Sequence, residues 1–135
     1  MIRYRTGNDL DLDEVLDLYR ASTLGERRPI GDRRRMAAML RHANLVITAW
    51  DGGLLVGIAR SLSDFAFATY LSDLAVRASH QKRGIGRELM RRTLKAGGKA
   101  RIILLSAPKA AKYYPRVGFT KHPSAWTLGA KETIR

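Results

Sequence analysis

The stretch from Leu74 to Leu94 constrains the fold most, because it joins three kinds of local structure. An apolar run ends at Val76, a basic loop with two glycines follows, and a helical pattern begins after it. The first N–H groups of a helix have no partner within the helix, and the helix dipole adds partial positive charge there. Because Gly84 and Gly86 lack a Cβ, the backbone can approach an anion closely. The pattern predicts a phosphate-binding loop, although a plain loop with a helix cap would look similar.

Two motifs resemble those of the GCN5-related N-acetyltransferase (GNAT) family. Gln81-x-x-Gly84-x-Gly86, placed after an apolar strand, is similar to the family's pyrophosphate-binding motif. The segment from Tyr113 to Phe119 resembles its late motif, an aromatic residue, a tyrosine, three residues and then Gly-Phe. The resemblance is close over residues 45–119. It implies that the chain binds acetyl-CoA and moves the acetyl group to an amine.

The resemblance implies that the cofactor binds at the end of the strand that closes with Val76 and at the basic loop after it. Backbone N–H groups from about Lys82 to Arg87 would hold the pyrophosphate, with basic side chains adding mobile charge. The peptide-like pantetheine arm would pair with the strand end as an added strand does, and an N–H near Leu74 would polarise the thioester carbonyl. The expected cofactor-binding residues are Leu74, Ala75, Val76, Gln81, Lys82, Arg83, Gly84, Ile85, Gly86 and Arg87.

Two residues are expected to act on the reacting groups. Tyr114 occupies the position of the family's usual general acid, where a phenol can protonate the departing thiolate. Packing against the sheet is the alternative for Tyr114. For Tyr113, packing or contact with CoA is the favoured interpretation. Some relatives use a glutamate as base at the site that Tyr70 matches most nearly. Asp73 is the only acid on this strand, so it could anchor the amine or act through water, or it could instead hydrogen-bond a neighbouring loop.

Five arginines lie in the short segment from Glu26 to Arg35. In the family, the region between the first two helices commonly lines the acceptor side, so an acceptor site for an acidic or nucleic-acid substrate is one interpretation. A solvated loop is the other, and we favour it.

The chain of 135 residues is long enough for one domain with a real core, and we expect a single GNAT domain over residues 1–135. It has no cysteine, which excludes disulfides, cysteine-based metal sites and an acetyl-cysteine intermediate. Its three histidines have no ligand-like spacing with acids, so we predict no metal. No apolar run is long enough to span a bilayer and the N-terminus has no signal-peptide core, so we expect a cytoplasmic protein without membrane contact.

The net charge of +13 is unevenly distributed. Residues 1–74 carry ten basic and ten acidic side chains, whereas residues 75–135 carry fifteen basic side chains and two acidic ones. A polyanion such as CoA suits the second half, but it carries only about four negative charges. The remaining positive charge could bind another anion such as RNA, or it could simply keep the protein in solution.

The periodicities predict the element order β-α-α-β-β-β-α-β-α-β-β, which agrees with the mixed α/β sheet of the GNAT fold. Asp11 and Asp32 are expected to start the first two helices, with Tyr19 on the apolar face of the first. A strand is expected over Ala68–Val76, and the strand Arg101–Leu105 is expected to run parallel to its neighbour after a helical crossover. The resemblance adds a splayed central sheet. Ser106 is expected to cap a helix that runs to about Arg116. Phe119 and the segment Ala125–Leu128 are expected to form the last strands, with the final one stunted or completed by another subunit.

The sequence and the resemblance leave three functions open. The leading one is direct transfer of acetyl from acetyl-CoA to a primary amine on a small molecule, an amino acid or a protein N-terminus. The second is an RNA-directed family member that acetylates aminoacyl-tRNA, and the third is a non-catalytic acyl-CoA-binding module. A nucleic-acid partner is not favoured, and a homodimer remains open because family members often pair.

Overall fold

A computed structural model describes all 135 residues, which pack as two compact units, Met1–Leu105 and Ser106–Arg135. The elements of the first unit are β1 (Ile2–Thr6), α1 (Leu12–Arg20), a 3-10 helix (Thr23–Arg27), α2 (Arg33–His42), β2 (Leu45–Asp51), β3 (Leu54–Ser63), β4 (Ala68–Val76), a 3-10 helix (Ala78–His80), α3 (Ile85–Ala96) and β5 (Arg101–Ile103).

The five strands form one sheet in the order β1-β2-β3-β4-β5. The pairs β1-β2, β2-β3 and β3-β4 are antiparallel, and β5 lies parallel to β4 after the α3 crossover. The predicted mixed α/β fold is therefore confirmed, as are the parallel last pairing and the strand bounds of β4.

Helices cover both faces of this sheet. The apolar sides of α1 and α2 pack on Val46, Trp50, Ile58 and Ala75 to form the main core. On the opposite face, α3 lies so close that a Cβ on Gly57 would sit 3.0 Å from a methyl carbon of Leu89. Aspartates cap α1 and α2 as predicted, since Asp11 accepts from the Asp13 N–H and Asp32 from the Arg35 N–H.

A β-bulge at Ser72 changes which face the side chains of β4 occupy. Asp73 pairs with Arg60 and Leu71 pairs with Ser61, so Ser72 is one extra residue on β4. Asp73 consequently lies on the α1 and α2 face, whereas the equally buried Leu71 lies on the α3 face. This local shift places an acid in the main core.

The second unit is less regular than predicted. It contains a 3-10 helix, Pro108–Ala110, and a short helix, α4 (Tyr113–Arg116). The predicted continuous helix from Ser106 to Arg116 is wrong. Proline in a helix interior removes a hydrogen bond and clashes with the preceding turn, so a new helix starts where Pro115 falls in its first turn.

The two predicted last strands, at Phe119 and Ala125–Leu128, do not form. The sheet ends at β5, and Trp126 is 92% exposed. Pro123 cannot donate to a strand ladder, and Gly129 ends the apolar alternation after four residues. The segment Ala125–Leu128 is therefore bounded by two interruptions, and it is irregular in the structure.

Candidate functional site

The basic loop between β4 and α3 has the geometry of an anion site. Gly84 is the N-cap residue of α3 in the left-handed conformation, with φ of 80°, and no side chain caps the helix. The N–H groups of Ile85, Gly86 and Arg87 are the first of the helix and have no hydrogen-bond partner in the chain. Lys82 also has a positive φ of 62°, which is uncommon for a residue other than glycine and is typical of functional loops.

Side chains at the start of the loop fix its position. The Gln81 amide donates to the carbonyl of Val76 at 2.9 Å, which ties the loop to the end of β4. The buried His80 ring lies 2.9 Å from an Asp51 carboxylate oxygen, and the Ser79 hydroxyl lies 2.7 Å from the other ring nitrogen. His80 therefore links the loop to the end of β2. This fixed loop presents exposed Lys82 and Arg83 to solvent.

The strand before the loop has one open edge. Residues Leu74, Ala75 and Val76 pair with β3 on one side. On the other side β5 pairs with β4 only from Ala68 to Tyr70, so this edge of β4 is unpaired over its last six residues. An open edge of this kind can accept a peptide-like ligand as an added strand. The open edge thus ends at the segment that leads into the anion loop.

Asp73 lies in a buried cluster of hydrogen bonds. Its side chain is fully buried, and one carboxylate oxygen accepts from the Tyr19 hydroxyl and from Nε of Arg60, each at 2.6 Å. The other oxygen accepts from Nε of Arg28 at 2.6 Å. Arg28 also donates to the carbonyl of Ser72, so the segment after the first 3-10 helix is held against the bulge.

The cluster changes the acidity of its members. Burial disfavours the charged form of Asp73, but hydrogen bonds and charge from Arg60, with the other donors, outweigh it and lower the pKa of the carboxyl. Burial and the neighbouring Asp73 charge raise the pKa of Tyr19 well above its usual value. Asp73 is therefore an ionised carboxylate shared by two guanidinium groups.

Sequence reasoning missed three members of this cluster: Tyr19, Arg28 and Arg60. Tyr19 was assigned only to an apolar face, and Arg28 to a solvated loop. The role of Arg60 could have been predicted, because Arg60 ends the apolar run of β3 and Asp73 interrupts the apolar pattern of β4. Opposite charges on neighbouring antiparallel strands favour a cross-strand pair. The other four arginines of the predicted basic segment are exposed.

Tyr114 lies in the second unit, whereas the other predicted site residues lie in the first. Gly118 has φ of 103° and turns the chain back after α4, and the N–H of Phe119 donates to the carbonyl of Tyr114 at 3.0 Å. The rings of Tyr113 and Phe119 both pack edge-on against the Tyr114 ring, at 5.4 and 5.5 Å between centroids. The Gly-Phe part of the motif thus supports the Tyr114 ring.

No group of three or more His, Asp or Glu side chains is arranged to hold a metal ion. None of the helices combines the length and apolar character required to cross a bilayer.

The model of the acetyltransferase (GNAT) domain family matches residues 28–127. An uncharacterized N-acetyltransferase of the ycf52-like type from Prochlorococcus marinus is 32% identical over 121 residues. That match covers 84% of this chain but only 65% of the relative's length.

Solved structures show the same fold. A GNAT acetyltransferase of Streptococcus pneumoniae has a TM-score of 0.73 at 27% identity, covering 95% of this chain and 98% of that one. An aminoglycoside N-acetyltransferase, AAC(6')-Iy, solved in complex with CoA, has a TM-score of 0.74 at 15% identity, covering 97% and 95% of the two chains.

Proposed function

Because the chain belongs to the GNAT acetyltransferase family, we propose that it is an acetyl-CoA-dependent N-acetyltransferase acting on a primary amine. The observation that carries the proposal is the start of α3. Its first N–H groups are open, Gly84 holds the left-handed conformation, and no side chain occupies the position of an anion. The CoA complex of the aminoglycoside enzyme supports the same cofactor for this fold.

Each part of the cofactor has a candidate partner in the chain. The N–H groups from Lys82 to Arg87 hold the pyrophosphate, and the side chains of Lys82, Arg83 and Arg87 add charge. The open edge from Leu74 to Val76 pairs with the pantetheine arm and orients the thioester carbonyl. Gln81 acts here through the loop, since its amide already holds the Val76 carbonyl.

The chain's own groups then manage protons during direct transfer. The C–N bond forms as the C–S bond breaks, the departing sulfur takes a proton, and the attacking nitrogen gives up one to water. Tyr114 is the proposed donor to the sulfur, on the strength of its place in the motif. Asp73 is already shared by Arg28 and Arg60, so its contacts support the alternative role of holding the Arg28 segment at the bulge.

We propose that residues 1–135 form one catalytic domain and that the enzyme is cytoplasmic, since acetyl-CoA is its substrate. The acceptor amine belongs to a small molecule, an amino acid or a protein N-terminus. The small-molecule class has the support of the aminoglycoside enzymes among the structural neighbours.

The test is thiol release from acetyl-CoA in the presence of a panel of primary amines. Because the chain has no cysteine, every thiol detected comes from CoA. We expect thiol release that depends on an amine, with one N-acetylated product per thiol in the mass spectrum. Binding of acetyl-CoA without amine-dependent thiol release would contradict the proposed enzymatic activity and favour an acyl-CoA-binding module.

A further inference from the structure

Three apolar side chains form a row across the sheet. Leu62, Tyr70 and Ile103 are direct partners on β3, β4 and β5, so they share one face of the sheet. They are 44%, 39% and 48% exposed. The row lies on the face that carries α1 and α2, because Leu62 follows Arg60 by two residues on β3. It is therefore an unusual set of uncovered apolar side chains in the sheet.

The row marks the place where pairing between β4 and β5 ends. Tyr70 and Ile103 are the last partners, and beyond them the edge of β4 on the β5 side is unpaired as far as Val76. On the opposite face, Thr69 and Leu71 are buried at the same level. A molecule that approaches this unpaired edge therefore meets exposed apolar side chains on the side of the row and buried ones on the other side.

The charges near the row disfavour a cationic ligand. Asp73 is shared by Arg28 and Arg60, so the three groups together carry a positive charge. Arg101 pairs with Ala68 on the next rung of the sheet. The nearest other acid along these strands is Asp64, whose carboxylate accepts from three N–H groups of its own turn.

We propose that the row of Leu62, Tyr70 and Ile103 binds the apolar body of the acceptor, and that the acceptor is a primary amine with no second positive charge. This inference rests on the proposed function and narrows its substrate class. The row lies beside the unpaired edge of β4 where the thioester carbonyl would lie, so it can bring the amine there while it removes the acceptor's carbon chain from water. The arginines repel a further ammonium group, which separates this acceptor from polyamines and aminoglycosides.

The first test compares acceptors of one length that differ in charge. With acetyl-CoA saturating, kcat/KM is measured for n-hexylamine and for 1,6-diaminohexane, corrected for its two equivalent amines. We expect hexylamine to be preferred by at least about tenfold, and kcat/KM to rise about two- to threefold per methylene from butylamine to hexylamine. Equal use of the two amines, or preference for the diamine, would overturn the inference while leaving the acetyltransferase in place.

The second test reverses the preference by changing the row. Ile103→Glu adds a negative charge to an exposed edge position, so the fold should tolerate it. We expect hexylamine to lose at least about tenfold in kcat/KM and the diamine to gain relative to it, with acetyl-CoA affinity unchanged. Leu94→Glu, at a 52% exposed leucine on the opposite side of the sheet, is the matched control and should change neither amine.

The remaining outcomes separate the two proposals. No amine-dependent turnover by the unmodified chain would be a failure of the proposed function itself. Unchanged amine kinetics in Ile103→Glu would overturn the row as an acceptor site. If that variant also changed a dimer into a monomer by sedimentation, the row would instead be an interface between two copies.

Discussion

The Nε atom of Arg60 lies 2.6 Å from a carboxylate oxygen of Asp73, and both side chains are almost completely buried. The pair joins neighbouring strands at the bulge, and Arg28 brings a third element to the same carboxylate. A buried ion pair stabilises little relative to apolar residues, but removing one partner leaves a buried charge without compensation. The cluster therefore makes the α1 and α2 face of the sheet sensitive to single substitutions.

Asp73→Asn should destabilise the protein by about 3 kcal/mol, because two buried guanidinium groups lose their counter-charge. Urea unfolding measures the change. The matched control is Asp13→Asn, which breaks a pair with Arg33 at the same 2.6 Å distance but on an exposed surface. That control should cost less than about 1 kcal/mol. Equal effects of the two variants would show that burial of the cluster contributes nothing.

The same carboxylate predicts a pH dependence of stability. Because the folded pKa of Asp73 is lowered from 3.8, the unfolded chain binds more protons than the folded one as the solution is acidified. The contribution is fully present above about pH 4 and is lost as the pH falls through the folded pKa. Unfolding free energies measured between pH 6 and pH 3 should therefore fall more steeply for the original chain than for Asp73→Asn. Parallel curves would assign the acid sensitivity to other groups.

A pair of substitutions at Gly84 separates charge from backbone effects. Asn and Asp both tolerate the left-handed conformation and both can cap a helix, so the variants Gly84→Asn and Gly84→Asp differ chiefly in one negative charge. The aspartate should stabilise the free protein at least as well as the asparagine, owing to the helix dipole. It should nevertheless bind acetyl-CoA about tenfold or more weakly, because its charge meets the pyrophosphate. Equal affinities would contradict the phosphate-loop assignment.

Tyr114→Phe should lower kcat by ~10²–10⁴ with little change in acetyl-CoA affinity, the usual scale for a lost general acid. The removed hydroxyl leaves the ring available for its packing with Tyr113 and Phe119, so folding should be retained. Tyr113→Phe is the control and should keep most of the activity. A rate for Tyr114→Phe equal to that of the original chain would assign proton donation to water or another group.

Local signals were sufficient to predict most of the first unit. Asp11 and Asp32 mark helix starts through their own side chains, and the left-handed Gly84 separates β4 from α3. These features depend on a few adjacent residues, which is why the sequence alone predicts them. The predicted roles of the loop residues, Asp73 and Tyr114 stay predictions until the experiments above are made.

Features that depend on strand register could not be predicted in the same way. The bulge at Ser72 decides which face Asp73 occupies, and only then do Tyr19 and Arg28, 54 and 45 residues away, reach its carboxylate. The two predicted last strands, at Phe119 and Ala125–Leu128, do not form for a related reason. Alternation from Ala125 to Leu128 suggests a strand, but a strand forms only where a partner edge meets it in register, and adjacent residues do not reveal such a partner.

The most direct test of the central claim is thermal unfolding with and without acetyl-CoA. A ligand present at 100 times its Kd adds about 2.7 kcal/mol to the stability of a protein that binds it only when folded. For a chain of this length, that addition raises Tm by several degrees. We predict such a rise in Tm, and a much smaller rise for Gly84→Asp than for Gly84→Asn. An unchanged Tm at millimolar acetyl-CoA would contradict the assignment of the loop, and with it the acetyltransferase.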